Sequence, residues 1–239
     1  MNLEEGKPNI LKILPQPNDV TCGPTCLQAV YNYYGDSIDL KQVIKEVKQL
    51  KGGGTLGVLL GNHALTMGYQ VEIYTYNLHM FDPTWFVNGA DLIEKLEEQL
   101  IFKNTRKMEF ASRAYQSFLR NGGTIKQEEL SYDLISRHIG SQVPILTGLS
   151  ATYLYQSARE IPEYNVYHDV KGVPAGHFVV LSGFEPETNR VLVADPLNPN
   201  PISDTVQYYK IDIQRVMNAI LLGIVTYDAN LLIIKPKKP

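Results

Sequence analysis

"PQPNDVTCGPTCLQAVYNYYG" (Pro15–Gly35) begins as a loop and ends as a helix, with a cysteine at the junction. Pro15, Pro17 and the Asn18-Asp19 pair are turn formers. From Pro24 onward Leu27, Val30, Tyr31 and Tyr34 recur at helical spacing, and Gly35 closes the run. Proline is tolerated in a first helical turn, and Thr21 is placed to cap the orphan amides there. Cys22 is therefore expected at or just inside a helix N-terminus, where the positive end of the macrodipole favours thiolate over thiol. Gln16 stands six residues upstream, in the loop that leads into this helix. Its side-chain amide can share an oxyanion hole with the backbone N–H of Cys22.

The rest of the composition narrows the setting. A chain of 239 residues with 44% hydrophobic and 20% charged residues is that of an ordinary globular protein, long enough for a sizeable core. A net charge of −3 offers no basic field for nucleic acid or anionic lipid. The short lysine cluster Lys235–Lys238 reads as a solvated tail. "MNLEEGKPNI" has two glutamates and no apolar run, so no secretory signal is expected. The longest apolar stretch, Ala219–Val225, is too short to span a bilayer. Two cysteines make no disulfide framework, and the expectation is a cytoplasmic protein with reduced thiols.

Along the chain, further helices are expected over Asp39–Leu50, ending in Gly52-Gly53-Gly54, and over Thr55–Met67. Tyr69–Tyr76 alternates as a strand. Asp91–Arg120 is strongly helical, Ser131–Ile139 is a further helix, and Val143–Leu149 is a strand. The Tyr-rich stretch Tyr153–Tyr167, followed by Gly172, Pro174 and Gly176, reads as a long loop of the kind that carries function. "HFVVLSGF" and "RVLVADP" are strands joined by the turn "EPETN", and "QYYKIDI", a short helix over Gln214–Ala219 and "ANLLIIKP" follow. Helices first and an antiparallel sheet later make the class α+β, in a single domain over residues 1–239.

The hairpin supplies partners for Cys22. With its turn centred near Glu187, His177 faces residue 196 or nearby, and Asp195 lies one residue from that partner, within reach of the imidazole. A carboxylate beside an imidazole fixes its tautomer and aims it at a nucleophile. Cys22, His177 and Asp195 with a preceding Gln16 form a set for acyl transfer through a thioester, with Asn198 the alternative should another acceptor hold the imidazole. Cys26, one turn beyond Cys22, suits a buried thiol; a strained Cys22–Cys26 disulfide would silence the nucleophile. His63, His79, His138 and His168 have no cysteine or carboxylate at metal-ligand spacing and read as structural or surface groups, so no metal is expected. "GGGT" lacks a phosphate-loop pattern, and no nucleotide is expected.

"LPQPNDVTCGPTCLQAVYNYYG" resembles the opening of the papain-like peptidases that process bacteriocin precursors at double-glycine leaders, and of their stand-alone relatives. "GTLGVLLGNHALTMGYQVEIY" is similar to that family's third helix and following strand. "VPILTGL", "GHFVVLSGF" and "VLVADPLNP" are similar to its strands carrying the histidine and the acid. The resemblance spans about residues 13–77 and 136–236. It implies a papain-like fold with Cys22 as nucleophile, His177 as general base and acid, Asp195 orienting it and Gln16 as oxyanion donor. Thr21 departs from the acid that precedes the cysteine in the family's exporters, and the transporter and ATPase to which those are fused have no counterpart in these residues. The segment 82–129 reads as a helical insertion expected to pack close to the cleft and restrict it, or to serve a partner or self-association. Gly23, Tyr153, Tyr155 and Gly176 are the expected substrate contacts, with a peptide or protein as substrate. A non-cleaving peptide-binding module and an acyltransferase with the same triad remain the alternatives.

Overall fold

The computed structural model describes residues 10–50, 53–164 and 166–237; expectations that fall on the first nine residues, Gly52, Asn165 or Lys238 lie outside them. Nine helices are described: α1 (Cys22–Tyr33), α2 (Leu40–Glu46), α3 (Gly57–Thr66), α4 (Pro83–Val87), α5 (Leu92–Phe102), α6 (Arg106–Arg120), α7 (Tyr132–Gly140), α8 (Ala151–Tyr155) and α9 (Ile213–Leu222). The strands are β1 (Tyr69–Thr75), β2 (Thr124–Lys126), β3 (Ile145–Ser150), β4 (Glu160–Ile161), β5 (Val166–Tyr167), β6 (Gly176–Glu185), β7 (Arg190–Ala194), β8 (Tyr208–Asp212) and β9 (Asn230–Pro236). Seven of them form one sheet in the order β2-β1-β9-β3-β6-β7-β8, antiparallel except for the β1–β2 pair. The short β4 and β5 pair with each other.

Because side chains alternate across a strand, the sheet feeds two cores. Ile73, Leu146, Phe178, Val180, Leu232 and Ile234 join α1, α3 and α6 on one face. Tyr74, Ile145, Leu149, Val179, Leu181, Leu231 and Ile233 join α7 and α9 on the other. Covered on both faces, the central strands read as continuous apolar runs rather than alternating ones. This is why "PILTGL" and "NLLII" were legible as strands without a period of two.

The boundaries shift where caps decide them. Asp39 caps α2, accepting from the Lys41 amide. That helix stops at Glu46, short of the expected Leu50, because Val47 is extended. The expected single helix over Asp91–Arg120 is two helices. Asp91 caps α5, and Thr105 begins α6 by accepting from the Met108 amide. The Tyr-rich stretch is not one irregular loop: it holds α8 and the β4–β5 ribbon.

The segment 82–129 is built into the fold. Met108, Ala111, Tyr115 and Phe118 of α6 sit in the same core as α1 and α3, and β2 adds an edge to the sheet. That edge lies at the opposite end of the strand order from β6, β7 and β8. None of the described residues that line the cleft beside His177 comes from this segment. The expectation that it restricts the cleft finds no support in this placement: the core covers the apolar face of α6, while Val87, Ile101 and Phe102 stay exposed.

Candidate active site

Cys22 is the first residue of α1, as the proline and glycine around it anticipate. Thr21 occupies the position before it but does not cap the helix. Its hydroxyl turns back to donate to the Asn18 carbonyl at 3.0 Å, locking the preceding turn, so Thr21 does not cap the first-turn amides. Cys22 is half-buried at this terminus, whereas Cys26 is fully buried one turn deeper. Cys26 donates to the Phe178 carbonyl at 3.2 Å. Burial above all, with the charges of Cys22 and Asp195 adding to it, pushes the Cys26 thiol well up, so it stays protonated.

His177 opens β6, beside Gly176, and is paired with Leu149 of β3. Its Nε2 meets Asp195 Oδ1 at 2.8 Å. The Cys22 side chain is near enough to act on the same imidazole, by charge and by hydrogen-bonding capacity. Burial works against a charged imidazole more than any other single influence. The charge and hydrogen bond of Asp195, together with those of Cys22, outweigh it and push His177 up to about 10. The imidazolium is thereby the favoured form at neutral pH.

Asp195 follows β7 and is completely buried. Burial alone would raise its carboxyl; His177, by charge and hydrogen bond, and the hydroxyls of Tyr209 and Tyr155 more than offset that and hold it below the usual range. The hairpin register differs slightly from the sequence expectation. Facing residues shift between Leu181 and Gly183, where β6 carries a bulge, so the ladder ends at Val180 and Ala194. Asp195 thus lies just past the last pair, where its side chain turns to the imidazole.

Gln16 reaches the same place from the other side. Its backbone amide donates to the Pro196 carbonyl at 2.8 Å, binding the N-terminal loop to the chain just after Asp195. Its Nε2 donates to the Asn18 carbonyl at 3.0 Å, and its Oε1 is buried without a partner. Gln16, Tyr155, Gly176 and His177 line one cleft of about 220 Å³, together with Asp19, Glu160 and Tyr167.

The four expected substrate contacts separate. Gly176 lines the cleft, and a side chain there would strike Thr226 at 2.6 Å. Gly23 is instead a packing glycine within α1: a Cβ would meet Thr55 at 2.7 Å and Phe178 at 3.2 Å. Tyr153 is exposed, lines a separate apolar groove with Leu222 and Val225, and does not line the cleft beside His177. Tyr155 lines the cleft, but its hydroxyl donates to Asp195 Oδ2 at 2.7 Å. The sequence reading gave no role to Tyr209, which donates to the same Oδ2 at 2.7 Å. One available signal was the alternation in "QYYKIDI", which buries Tyr209 and obliges its hydroxyl to find a partner. No group of three or more His, Cys, Asp or Glu side chains able to hold a metal occurs among the described residues. Among them no helix is long and apolar enough to cross a membrane.

A model of the Peptidase_C39 like family matches residues 10–220. Among solved structures, a protein described as a C39-like peptidase from Bacillus anthracis aligns with a TM-score of 0.51 at 13% identity, covering 95% of each chain. The peptidase domain of Streptococcus ComA, a bifunctional ABC transporter of a quorum-sensing pathway, aligns at 0.45 and 15% identity, covering 95% of this chain and all of that one. A double-glycine-motif protease from the AMS/PCAT transporter, solved with a leader peptide, aligns at 0.44 and 16%, covering 98% and 97%. Comparison with curated proteins gives no match.

Proposed function

The chain belongs to the Peptidase_C39 like family, and from that premise we propose that it is a cysteine peptidase or amide hydrolase working through a Cys22–His177–Asp195 triad. The observation that carries the proposal is the bond from His177 to a fully buried carboxylate, with the half-buried cysteine of a helix start near enough to act on the same imidazole. With His177 pushed up to about 10, its imidazole is a strong enough base to take the Cys22 proton, and the thiolate so made is the reactive form of a cysteine nucleophile. The Cys22 sulfur attacks an amide carbonyl, and the oxyanion is held by Gln16 and by the Cys22 amide, in a first turn that Thr21 does not cap. His177 gives its proton to the leaving amine, leaving an acyl group on sulfur. Water then attacks the thioester, His177 takes its proton, and the acid departs as the thiolate and imidazolium re-form.

The substrate we propose is an extended peptide laid along the cleft bordered by Tyr155, Tyr167 and Gly176. The two unpaired thiols fit work in a reducing, cytoplasmic setting, and the whole described chain acts as one catalytic unit. The test is incubation with a mixed peptide library, followed by mass spectrometry of both peptides and protein. The expected result is cleavage by the wild type, none by Cys22→Ala, and an acyl adduct on Cys22 at early times. Cleavage that persists in Cys22→Ala overturns the assignment.

A further inference from the structure

We infer that Tyr155 and Tyr209 are positioning residues for this triad, a pair of phenols that keep Asp195 ionised and, through Tyr155, connect it to the rim of the cleft. The inference rests on the reading of Asp195 as the triad's acid.

Asp195 accepts four hydrogen bonds. Oδ1 takes His177 Nε2 at 2.8 Å and the Leu197 amide at 2.9 Å; Oδ2 takes Tyr155 and Tyr209, each at 2.7 Å. A carboxylate offers about four lone-pair sites, so it is satisfied as an anion and has no room left for a proton. This matters because Asp195 has no exposure at all, and a buried carboxyl without donors takes up a proton. A protonated Asp195 would no longer favour the imidazolium. The groups that hold it ionised are His177, Tyr209 and Tyr155, none of them a permanent cation. Of the four donors, one is the triad's histidine and one is a main-chain amide, so the phenols are the part set by choice of side chain.

Other groups that face Asp195 come from every element packed around it. Cys22 and Cys26 approach from α1; Cys22 acts on Tyr155 by charge, and the Asp195 charge helps keep Cys26 protonated. Gln207 Nε2 donates to the Asp195 main-chain carbonyl at 3.0 Å, and the Asp195 amide donates to the Gln207 carbonyl at 2.8 Å. These last two bonds fix the backbone and leave the carboxylate to the tyrosines.

The two phenols differ in what they join. Tyr209 is buried on β8, paired with Val193 of β7, and is part of the fixed sheet. Tyr155 ends the five-residue α8, half-buried, with its ring 6.1 Å from the His177 imidazole. Thr152 of the same helix accepts from the Ala175 amide at 3.0 Å, just before β6. Tyr155 therefore borders the cleft with its ring and holds the acid with its hydroxyl. Phenylalanine would satisfy the packing at both positions; only the hydroxyl reaches Asp195.

The test needs no knowledge of the substrate. The rate of iodoacetamide alkylation at Cys22 is followed from pH 4 to 9 in the wild type, Tyr155→Phe, Tyr209→Phe, the double variant and His177→Ala, with thermal melts confirming folding. Loss of one donor to the carboxylate moves the acid limb upward by about one pH unit, and loss of both moves it further. Folded phenylalanine variants that keep the wild-type profile overturn the inference; if Tyr209→Phe does not fold, Tyr155→Phe alone decides. A wild-type profile already indistinguishable from that of His177→Ala overturns the triad itself, and the inference with it, a result separable from the first because it appears before either tyrosine is changed.

Discussion

Two histidines in this protein are each held by a carboxylate and each have a third polar group nearby, a cysteine in one arrangement and a tyrosine in the other. His177 lies between Asp195 and Cys22. His63, on α3, meets Glu46 of α2 at 3.0 Å through Nε2 and the Tyr31 hydroxyl at 2.8 Å through Nδ1. The acids differ first: Asp195 has no exposure, while the Glu46 side chain is 41% exposed, so solvent screens its charge. The third members differ more. Cys22 is half-buried at a helix terminus, and Tyr31 is completely buried in the middle of α1. Burial pushes the Tyr31 phenol up, so it does not ionise. In the function proposed above the first arrangement presents a nucleophile; the second satisfies the polar groups of two packed residues. An imidazole with a carboxylate partner therefore says little until the exposure of the third group is known.

The comparison breaks most sharply under alanine substitution. His177→Ala should lower peptide cleavage by about 10²–10⁴-fold, the usual worth of a general acid–base. His63→Ala should leave cleavage unchanged and instead destabilise the protein, because it leaves the buried Tyr31 hydroxyl unpaired at a cost of about 1–3 kcal/mol. Cleavage assays and thermal melts on both variants check the pair, and a large activity loss in His63→Ala would erase the distinction. Gln16→Ala should reduce kcat by roughly 10²–10³-fold, the typical effect of removing one oxyanion donor, while labelling of Cys22 persists. An equal loss of labelling would show that Gln16 supports the thiolate rather than the oxyanion.

A last effect concerns the second buried acid, outside both arrangements. Asp228 Oδ1 accepts from the Gly57 amide at the start of α3, at 2.7 Å. Burial raises it to about 7, against the opposing pull of that amide and of Lys107. The folded protein thus binds this proton more tightly than the unfolded chain. The stability it contributes is complete below the unfolded carboxyl value of about 4 and is lost as pH rises to about 7, at no more than about 1.4 kcal/mol per pH unit. Asp228→Asn keeps an acceptor for Gly57 and should flatten denaturation midpoints over that window; unchanged slopes would show that Asp228 does not titrate there.

How much of this was written in the sequence depends on whether the deciding contacts are local. Cys22 at a helix start follows from Pro24 and the apolar spacing after it, and the proximity of His177 to Asp195 follows from one short hairpin. Both are settled within a few dozen residues. Thr21 misled because its hydroxyl had two local partners to choose from, and the loop carbonyl of Asn18 won over the helix amides. Tyr155 was read as a substrate contact because its aromatic face was visible in the sequence and its hydroxyl's partner, forty residues away, was not. The segment 82–129 was legible as amphipathic helix, but periodicity shows that a face must be covered, not what covers it. The break at Thr105 rests on a single cap that the continuous apolar pattern obscures.

The central claim, that α1 carries one reactive and one inert thiol a single turn apart, is tested most directly by competitive alkylation. The native protein is treated with limiting iodoacetamide at pH 7, quenched, unfolded, alkylated with an isotopically heavy reagent, digested and analysed by mass spectrometry. The light label should accumulate on Cys22 far faster than on Cys26, which is fully buried and bonded to the Phe178 carbonyl, and His177→Ala should remove most of that advantage. Equal labelling of the two cysteines, or faster labelling of Cys26, would contradict the account.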